Sequence, residues 1–228
     1  ETQVERLIGF WQALGGALSG RDPKALAFAL LERPSLADDR AWNRVLERLL
    51  GALRPALPGR VFVVEGNQPE PGPRADAAPA LARLAPPANA EGVVFAFPLD
   101  APFVFTHQGV VTEALPGLAE VRGVPYPAGG VVAADDPATR AALGAYAKDW
   151  QTDQLEDHVR AVYDWAQSRC VFVMSAGFGV SVAAPAESRR TWLVRARTLF
   201  HKYGFGWTAR DRDGPFELDA ADRALLVR

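Results

Sequence analysis

One stretch of sequence decides the fold: VVFAFPLDAPFVFTHQGVVT, residues 93–112. Its first part, Val93–Phe97, is an uninterrupted apolar run with the length of a buried strand. Its second part has the pattern of a hairpin, in which Phe103–Thr106 and Val110–Thr112 flank the turn His107–Gly109. The glycine supports the hairpin because it adopts a positive φ angle readily. The stretch therefore predicts a sheet that contains antiparallel pairs.

A second apolar run, RVFVV at 60–64, precedes this stretch and predicts another buried strand. A strand needs a partner, so we expect residues 60–65 to pair with Val93–Phe97. Residues 66–91, between the two strands, contain six of the 18 prolines in the chain. Such a segment is typical of a mobile loop. We therefore predict a proline-rich mobile excursion at 66–91 within one domain, with a division into two domains as the alternative.

Helical patterns fill the residues before the first strand. Apolar side chains at three- and four-residue spacing indicate an amphipathic helix over 4–18. An Asp-Pro pair predicts a second helix over 23–33, because proline is favoured in the first turn of a helix. A capping pattern predicts a third helix over 35–55. Residues 1–56 are therefore expected to form a helical section.

The residues after 112 alternate between helical and strand patterns. Helices are predicted over 137–150, 153–169 and 185–203, and strands over 170–175, 180–183, 205–210 and 216–218. The last two strands flank a turn and form a second hairpin. The predicted fold class is α+β, with a helical N-terminal section and a mainly antiparallel sheet on which helices pack. Residues 92–228 form its sheet-and-helix core, and residues 1–228 form a single domain.

The order helix, helix, strand occurs twice in this prediction, over 23–65 and over 137–176. The two strands also begin alike, with Arg-Val-Phe-Val at 60–63 and Cys-Val-Phe-Val at 170–173. Either the chain contains an internal duplication, or two helical hairpins precede strands by coincidence. The matching positions are too few to decide between these interpretations.

The composition is that of an ordinary globular protein. Apolar residues make up 49% of the chain and the formal net charge is −2, so no overall positive field attracts nucleic acid or anionic lipid. The single cysteine, Cys170, excludes an intramolecular disulfide and favours a reducing compartment. No run approaches the roughly 20 apolar residues of a membrane helix, and no leader sequence opens the chain. We therefore expect a cytoplasmic protein with no membrane partner.

The residue types that most often carry catalysis or bind metals are scattered along the chain. The three histidines, His107, His158 and His201, have no second ligand at the spacing of a helical metal site. Cys170 and Ser175 lack the neighbouring residues that would activate a nucleophile. The sequence therefore predicts no catalytic residue, no metal site and no cofactor.

Charge is divided between two regions of the C-terminal half. Residues 135–164 hold seven acidic residues against three basic ones, and residues 186–214 hold seven basic against three acidic. The basic residues are candidates for contact with nucleic-acid phosphates: Arg189, Arg190, Arg195, Arg197, Lys202, Arg210 and Arg212. On a helical wheel the cations of the predicted helix border its apolar face and form no single stripe. We therefore expect the two regions to lie side by side and to neutralise each other in part.

Three functions follow from these observations. The absence of a catalytic constellation favours a non-enzymatic protein-interaction or accessory and regulatory protein, with a protein as its partner. The basic segment 186–214 favours a nucleic-acid-binding or DNA-repair-related factor as the alternative. The third function is a small-molecule enzyme whose carboxylates converge only in the folded chain. Whether the protein is an enzyme is left open, although the residues favour a non-enzymatic protein.

Overall fold

The strands that the structure describes form one parallel sheet. The computed structural model describes residues 2–68, 77–130, 132–210 and 214–227. Its strands are β1 (Ala27–Ala29), β2 (Val61–Glu65), β3 (Val93–Leu99), β4 (Phe172–Phe178) and β5 (Gly206–Ala209). They lie in the sheet in chain order, so each strand pairs in parallel with the next one along the chain.

Helices connect these strands, because the chain must return to the opposite end of a parallel sheet before each new strand. The helices are α1 (Thr2–Ala17), α2 (Asp39–Ala56), α3 (Ala77–Ala82), α4 (Phe103–Thr106), α5 (Pro137–Asp149), α6 (Leu155–Gln167), α7 (Ala186–Tyr203) and α8 (Ala220–Val227). Helix α2 connects β1 to β2, α3 connects β2 to β3, and α7 connects β4 to β5. Helices α4, α5 and α6 all lie between β3 and β4.

The helix ends lie where local sequence signals predict them. The Asp38 carboxylate accepts the Ala41 N–H (2.6 Å) at the start of α2. The Asp136 carboxylate likewise accepts the Thr139 N–H (2.7 Å) at the start of α5. Such a cap satisfies a backbone N–H that has no partner within the helix. Gly204 ends α7 with a φ of 69°, a left-handed conformation that glycine adopts without steric cost.

The hydrophobic core lies between the sheet and the helices. Phe95 of β3 packs on Trp165 of α6 with ring centroids 5.3 Å apart, and Phe97 packs on Phe200 of α7 at 6.3 Å. Phe178 of β4 contacts the same Phe200 ring at 5.1 Å. Burial of each phenylalanine stabilises the fold by about 1.5–3 kcal/mol. This layer of aromatic rings fixes the helices on one face of the sheet.

The other face of the sheet is more open. Alternate side chains of a strand point to opposite faces; in β2, Phe62 and Val64 are buried, whereas Val61 and Val63 are half-buried. On the same open face Phe172, at the start of β4, is 80% exposed. The described helices therefore cover one face of the sheet and leave apolar side chains accessible on the other.

The prediction of a mainly antiparallel α+β sheet is wrong. The predicted hairpin at 103–112 is instead helix α4 followed by a turn, in which Gly109 has a φ of 75°. The predicted hairpin at the C-terminus is also wrong in its described part: β5 pairs in parallel with β4, and residues 216–218 form no strand. Residues 211–213 lie outside the described part of the chain. Each of the two predicted hairpins contains a glycine with a positive φ, Gly109 or Gly214. Such a glycine is compatible with a hairpin and with other turns, so the local pattern did not determine the direction of the strands.

The helical section predicted at 1–56 contains a strand. Residues 23–33 form a short 3-10 turn, Pro23–Ala25, followed by β1, and not the predicted helix. Helices α1 and α2 are confirmed. Three residues of strand are too short to leave a periodic signal, and pairing with β2 determines their conformation.

Part of the proline-rich segment 66–91 packs into the core. Residues 69–76 lie outside the described part of the chain, but α3 follows them, and Leu81 and Leu84 are fully buried. The expected pairing of 60–65 with 93–97 is confirmed, although it is parallel. The assignment of the whole chain to a single domain stays a prediction.

Five parallel strands in chain order, connected by helices on one face, are the arrangement found in part of a (β/α)8 barrel. In such barrels the loops after the strands meet at one end, at the carboxyl ends of the strands, and this end carries the functional residues. The same end of this sheet is therefore the first place to search for a site.

Candidate active site at the carboxyl ends of the strands

Charged side chains gather at the carboxyl ends of four of the five strands. Arg33 lies in the loop after β1, Glu65 is the last residue of β2, Asp100 follows β3, and Arg210 follows β5. These residues are far apart in sequence but touch one another in the fold. We call Arg33, Glu65, Asp100, His107 and Arg210 the edge cluster.

Asp100 is the centre of the edge cluster. Its carboxylate forms ion pairs with Arg33 through one oxygen and with Arg210 through the other, the latter at 2.9 Å. Only 7% of the side chain is exposed. Burial opposes ionisation of this group, but the charges of Arg210 and Arg33 outweigh burial and hold the pKa of Asp100 below its ordinary value. Asp100 is therefore a carboxylate anion at neutral pH.

Glu65 has the opposite electrostatic environment. Burial raises the pKa of Glu65 from 4.5 to about 7, although its Oε2 accepts the backbone N–H of Arg33 at 3.0 Å. The residue is fixed from its main chain as well, because its carbonyl oxygen accepts the indole N–H of Trp42 at 2.9 Å. At neutral pH this carboxyl group is therefore protonated in about half of the molecules.

The backbone of Arg33 is held in a conformation that favours glycine. Its φ is 46°, in the left-handed region, which is costly for a residue with a side chain. This turn directs the Arg33 N–H to Glu65 while the guanidinium of the same residue reaches Asp100. One strained residue thus connects the protonated and the ionised carboxyl groups.

His107 completes the edge cluster as a neutral base. Its ring stacks on Phe103 with centroids 4.2 Å apart, and Phe216 contacts it edge-on at 5.0 Å. Burial, together with the charges of Arg210 and Arg33, lowers the pKa of His107 to about 4 despite the attraction of Asp100. Its Nδ1 lies 2.9 Å from the hydroxyl oxygen of Thr106.

Gly179, which follows β4, leaves room for the side chain of Arg210 on its way to Asp100. A Cβ atom added at Gly177 would lie 3.5 Å from Arg210 Nε, and one at Gly179 would lie 3.2 Å from Arg210 Cβ. The guanidinium also lies over the Phe216 ring, 5.0 Å from its centroid. This role depends on the neighbouring strand, so the sequence around Gly179 does not show it.

This arrangement has the elements of acid–base chemistry. Two carboxyl groups contact the same residue, and their environments drive their pKa values apart. Such a pair supplies a proton donor and an anion at the same pH, as general acid–base catalysis requires. Among the described residues no group of three or more His, Cys, Asp or Glu side chains is placed to hold a metal ion.

Most of the basic residues suggested for nucleic acid lie away from this site and are paired with acids. Arg189 and Arg190 form ion pairs with Asp222 of α8, and Arg195 pairs with Asp153 and Glu156. Other members of the set are placed as follows: Lys202 also pairs with Glu156, Arg197 donates to the Leu225 carbonyl oxygen, Arg210 belongs to the edge cluster, and Arg212 lies outside the described residues. The predicted contact between regions 135–164 and 186–214 is confirmed, whereas contact with nucleic acid stays a prediction.

The fold is similar to that of several solved enzymes. The Clostridial cellulose synthase subunit Z (CcsZ) from Clostridioides difficile superimposes with a TM-score of 0.76 and 21% identity, over 100% of this chain and 69% of that one. A hyperthermophilic endo-β-1,4-glucanase in complex with substrate gives 0.76 and 20%, over 100% and 67%. Thermotoga maritima Cel5A in complex with cellobiose gives 0.75 and 19%, over 99% and 67%.

The chain shares the fold of endoglucanases. It spans about two thirds of the length of these similar chains. No model of a protein family matches the sequence. No curated protein matches it either.

These likenesses overturn the expected non-enzymatic protein-interaction or accessory protein, because the solved structures with this fold include endoglucanases. The expectation rested on the absence of a catalytic pattern in the sequence. That absence was misleading because Arg33 lies 67 residues before Asp100, and Arg210 lies 110 residues after it. Only the parallel sheet brings the edge cluster together.

Proposed function

We propose that this protein is a carbohydrate-active enzyme that binds a β-linked saccharide at the edge cluster, with Glu65 as the proton donor. The observation that carries the proposal is a carboxyl group with a pKa of about 7 beside the ionised Asp100, at the carboxyl ends of parallel strands. The likeness to endo-β-1,4-glucanase and to Cel5A, which was solved in complex with cellobiose and with mannotriose, supports a saccharide as the ligand.

Glu65 acts on the oxygen of the glycosidic bond. The bond between this oxygen and the anomeric carbon breaks, the electron pair stays on the oxygen, and the oxygen takes the Glu65 proton. The positive charge that develops on the sugar ring is stabilised by the Asp100 anion. Water then adds to the anomeric carbon and passes a proton to Glu65, which restores the starting state.

Asp100 has an electrostatic role in this scheme. Each of its oxygens forms an ion pair with a guanidinium group, from Arg33 or from Arg210, so its negative charge is partly balanced and its nucleophilicity is lowered. We therefore expect hydrolysis to be slow compared with that of an enzyme with a free second carboxylate.

Binding and hydrolysis are measured separately to test the proposal. Cellohexaose and mannotriose are titrated by calorimetry into wild type and E65Q, and new reducing ends are counted during incubation. E65Q should bind with unchanged affinity and lose hydrolysis by about a hundredfold or more. Wild-type hydrolysis should fall as the pH rises through about 7, because the donor then loses its proton.

A control comes from the opposite end of the sheet. Glu91 is an exposed carboxylate before β3, so E91Q should keep both binding and hydrolysis. If neither saccharide binds at millimolar concentration, the proposed function is rejected. If wild type binds saccharide but forms no reducing ends, the proton-donor role of Glu65 is rejected while saccharide binding stands.

The location and partners expected from the sequence stay predictions. In the described ranges of the chain no helix is long and apolar enough to cross a membrane. A cytoplasmic location is our proposal from the single cysteine and the composition. Fractionation of the native cells with an antibody to the protein would test it, and a protein partner would be identified by cross-linking in the same fractions.

A further inference from the structure

A cavity of about 980 Å³ lies beside the edge cluster. It is bounded by α4, by α5 and by the start of α6. Two of its lining residues connect it to the edge cluster: Asp100 is a member of the cluster, and Phe103 stacks on His107. Sites for small molecules have volumes of about 300–1,000 Å³, so this cavity is large enough for more than a single small group.

Four alanines of α5 leave space along one side of the cavity. Ala138, Ala141, Ala142 and Ala145 line it at three- and four-residue spacing. The rest of the helix is anchored: Tyr146 is buried and its hydroxyl donates to the Pro125 carbonyl oxygen at 2.5 Å. The space is therefore bounded by a fixed helix.

The remaining lining combines flat rings with hydrogen-bonding groups. Trp150 and Phe103 are only half-buried, and the Trp150 indole is fixed by stacking on His158 with centroids 5.4 Å apart. The exposed carboxylate of Asp149 and the amide of Gln154 supply polar groups. A pyranose ring fits such a lining, because its C–H face packs on aromatic rings while its hydroxyl groups donate to carboxylates.

We propose that this cavity binds further sugar units of an oligosaccharide whose reacting bond lies at the edge cluster. The proposal rests on the proposed function and adds that the ligand is a chain of several units. The position of Asp100 supports it, because this residue of the edge cluster also lines the cavity, so a ligand at the edge cluster lies beside the cavity. Affinity should therefore rise with chain length.

A variant that fills the cavity provides the test. Ala141 is exposed on α5, so A141W adds bulk to the cavity without removing a buried contact. Cellobiose and cellohexaose are titrated into wild type and A141W. Wild type should bind cellohexaose about tenfold more tightly than cellobiose, and A141W should remove most of this difference.

Two further variants distinguish occupation of the cavity from damage to the helix. Gly144 lies on the same helix, and a Cβ atom added there meets nothing within 4 Å, so G144W should preserve the difference between the two ligands. W150A should lower cellohexaose affinity about threefold to tenfold, with circular dichroism showing an unchanged fold.

The outcomes separate this inference from the proposed function. If both ligands bind wild type equally, or if A141W keeps the preference for the longer chain, the cavity does not bind sugar units, although saccharide binding at the edge cluster stands. If neither ligand binds, the proposed function fails first. A preference for the longer chain that A141W and W150A abolish, and G144W does not, supports the cavity assignment.

Discussion

The pH dependence of stability tests the environment of Glu65 directly. The native chain holds the Glu65 proton up to a pKa of about 7, whereas the unfolded chain releases it at about 4.5. The associated stabilisation is complete below about pH 4.5 and is lost as the pH rises through about 7. Over this range of about 2.5 pH units, at about 1.4 kcal/mol per unit, the free energy of unfolding falls by about 3–3.5 kcal/mol.

His107 contributes a change of the opposite sign. Its pKa falls from 6.5 in the unfolded chain to about 4 in the native protein, so the unfolded chain binds a proton that the native protein does not. The free energy of unfolding therefore rises with pH between about 4 and 6.5, again by about 3–3.5 kcal/mol. In wild type the two contributions nearly cancel between about pH 4.5 and 6.5.

Single substitutions separate the two groups. E65Q removes the first contribution, so its stability relative to wild type should rise by about 3–3.5 kcal/mol as the pH increases from about 4.5 to 7. H107N should show the reverse change, and the control E91Q should follow wild type. Urea unfolding at several pH values measures each profile. Parallel profiles for E65Q and wild type would refute the raised pKa of Glu65 and, with it, the basis of its role as proton donor.

Two further predictions concern charge pairs. D100N leaves Arg33 and Arg210 without the carboxylate that pairs with both. Because both cations are partly exposed, we expect the free energy of unfolding, measured in urea, to fall by about 2–3 kcal/mol. A loss below about 1 kcal/mol would contradict the ion-pair arrangement. Since Arg195 is already paired with Asp153 and Glu156, duplex DNA should bind with a Kd no tighter than about 10⁻⁶–10⁻⁴ M at physiological salt. Tight binding in a gel shift that R195E weakens would revive the nucleic-acid alternative.

Helix positions could be predicted from the sequence because their signals are local. The helices expected over 137–150, 153–169 and 185–203 match α5, α6 and α7 within two residues at each end. Capping carboxylates, first-turn prolines and a terminating glycine act within one turn of the helix that they limit. Nothing in these contacts depends on the rest of the fold.

Strand direction could not be read from the same patterns. Whether two strands pair in parallel depends on the connection between them, and each connection here contains a helix. The similar openings of the strands at 60–63 and 170–173 are consistent with this architecture, because both begin parallel strands that follow a helix. This repeated order of helix and strand was a better guide to the sheet than the two apparent hairpins.

The edge cluster left only a weak trace in the sequence. Glu65 and Asp100 each come at the end of an apolar run, which is where the carboxyl end of a buried strand places a functional side chain. This signal predicts a shared site only when the strands are known to be parallel, because neighbouring antiparallel strands would place the two acids at opposite ends of the sheet. The error in strand direction therefore caused the error in function.

The runs of apolar residues in β2 and β3 contain more information than strand location alone. Strands of an antiparallel sheet with one solvated face alternate apolar and polar residues, whereas β3 reads VVFAFPL without a polar residue. Such a run is typical of a parallel sheet that is buried on both faces. The helices cover only the face with Phe95 and Phe97, so Val94 stays half-buried and Phe172 is 80% exposed on the other. The open face is therefore apolar, as the interior of a (β/α)8 barrel is.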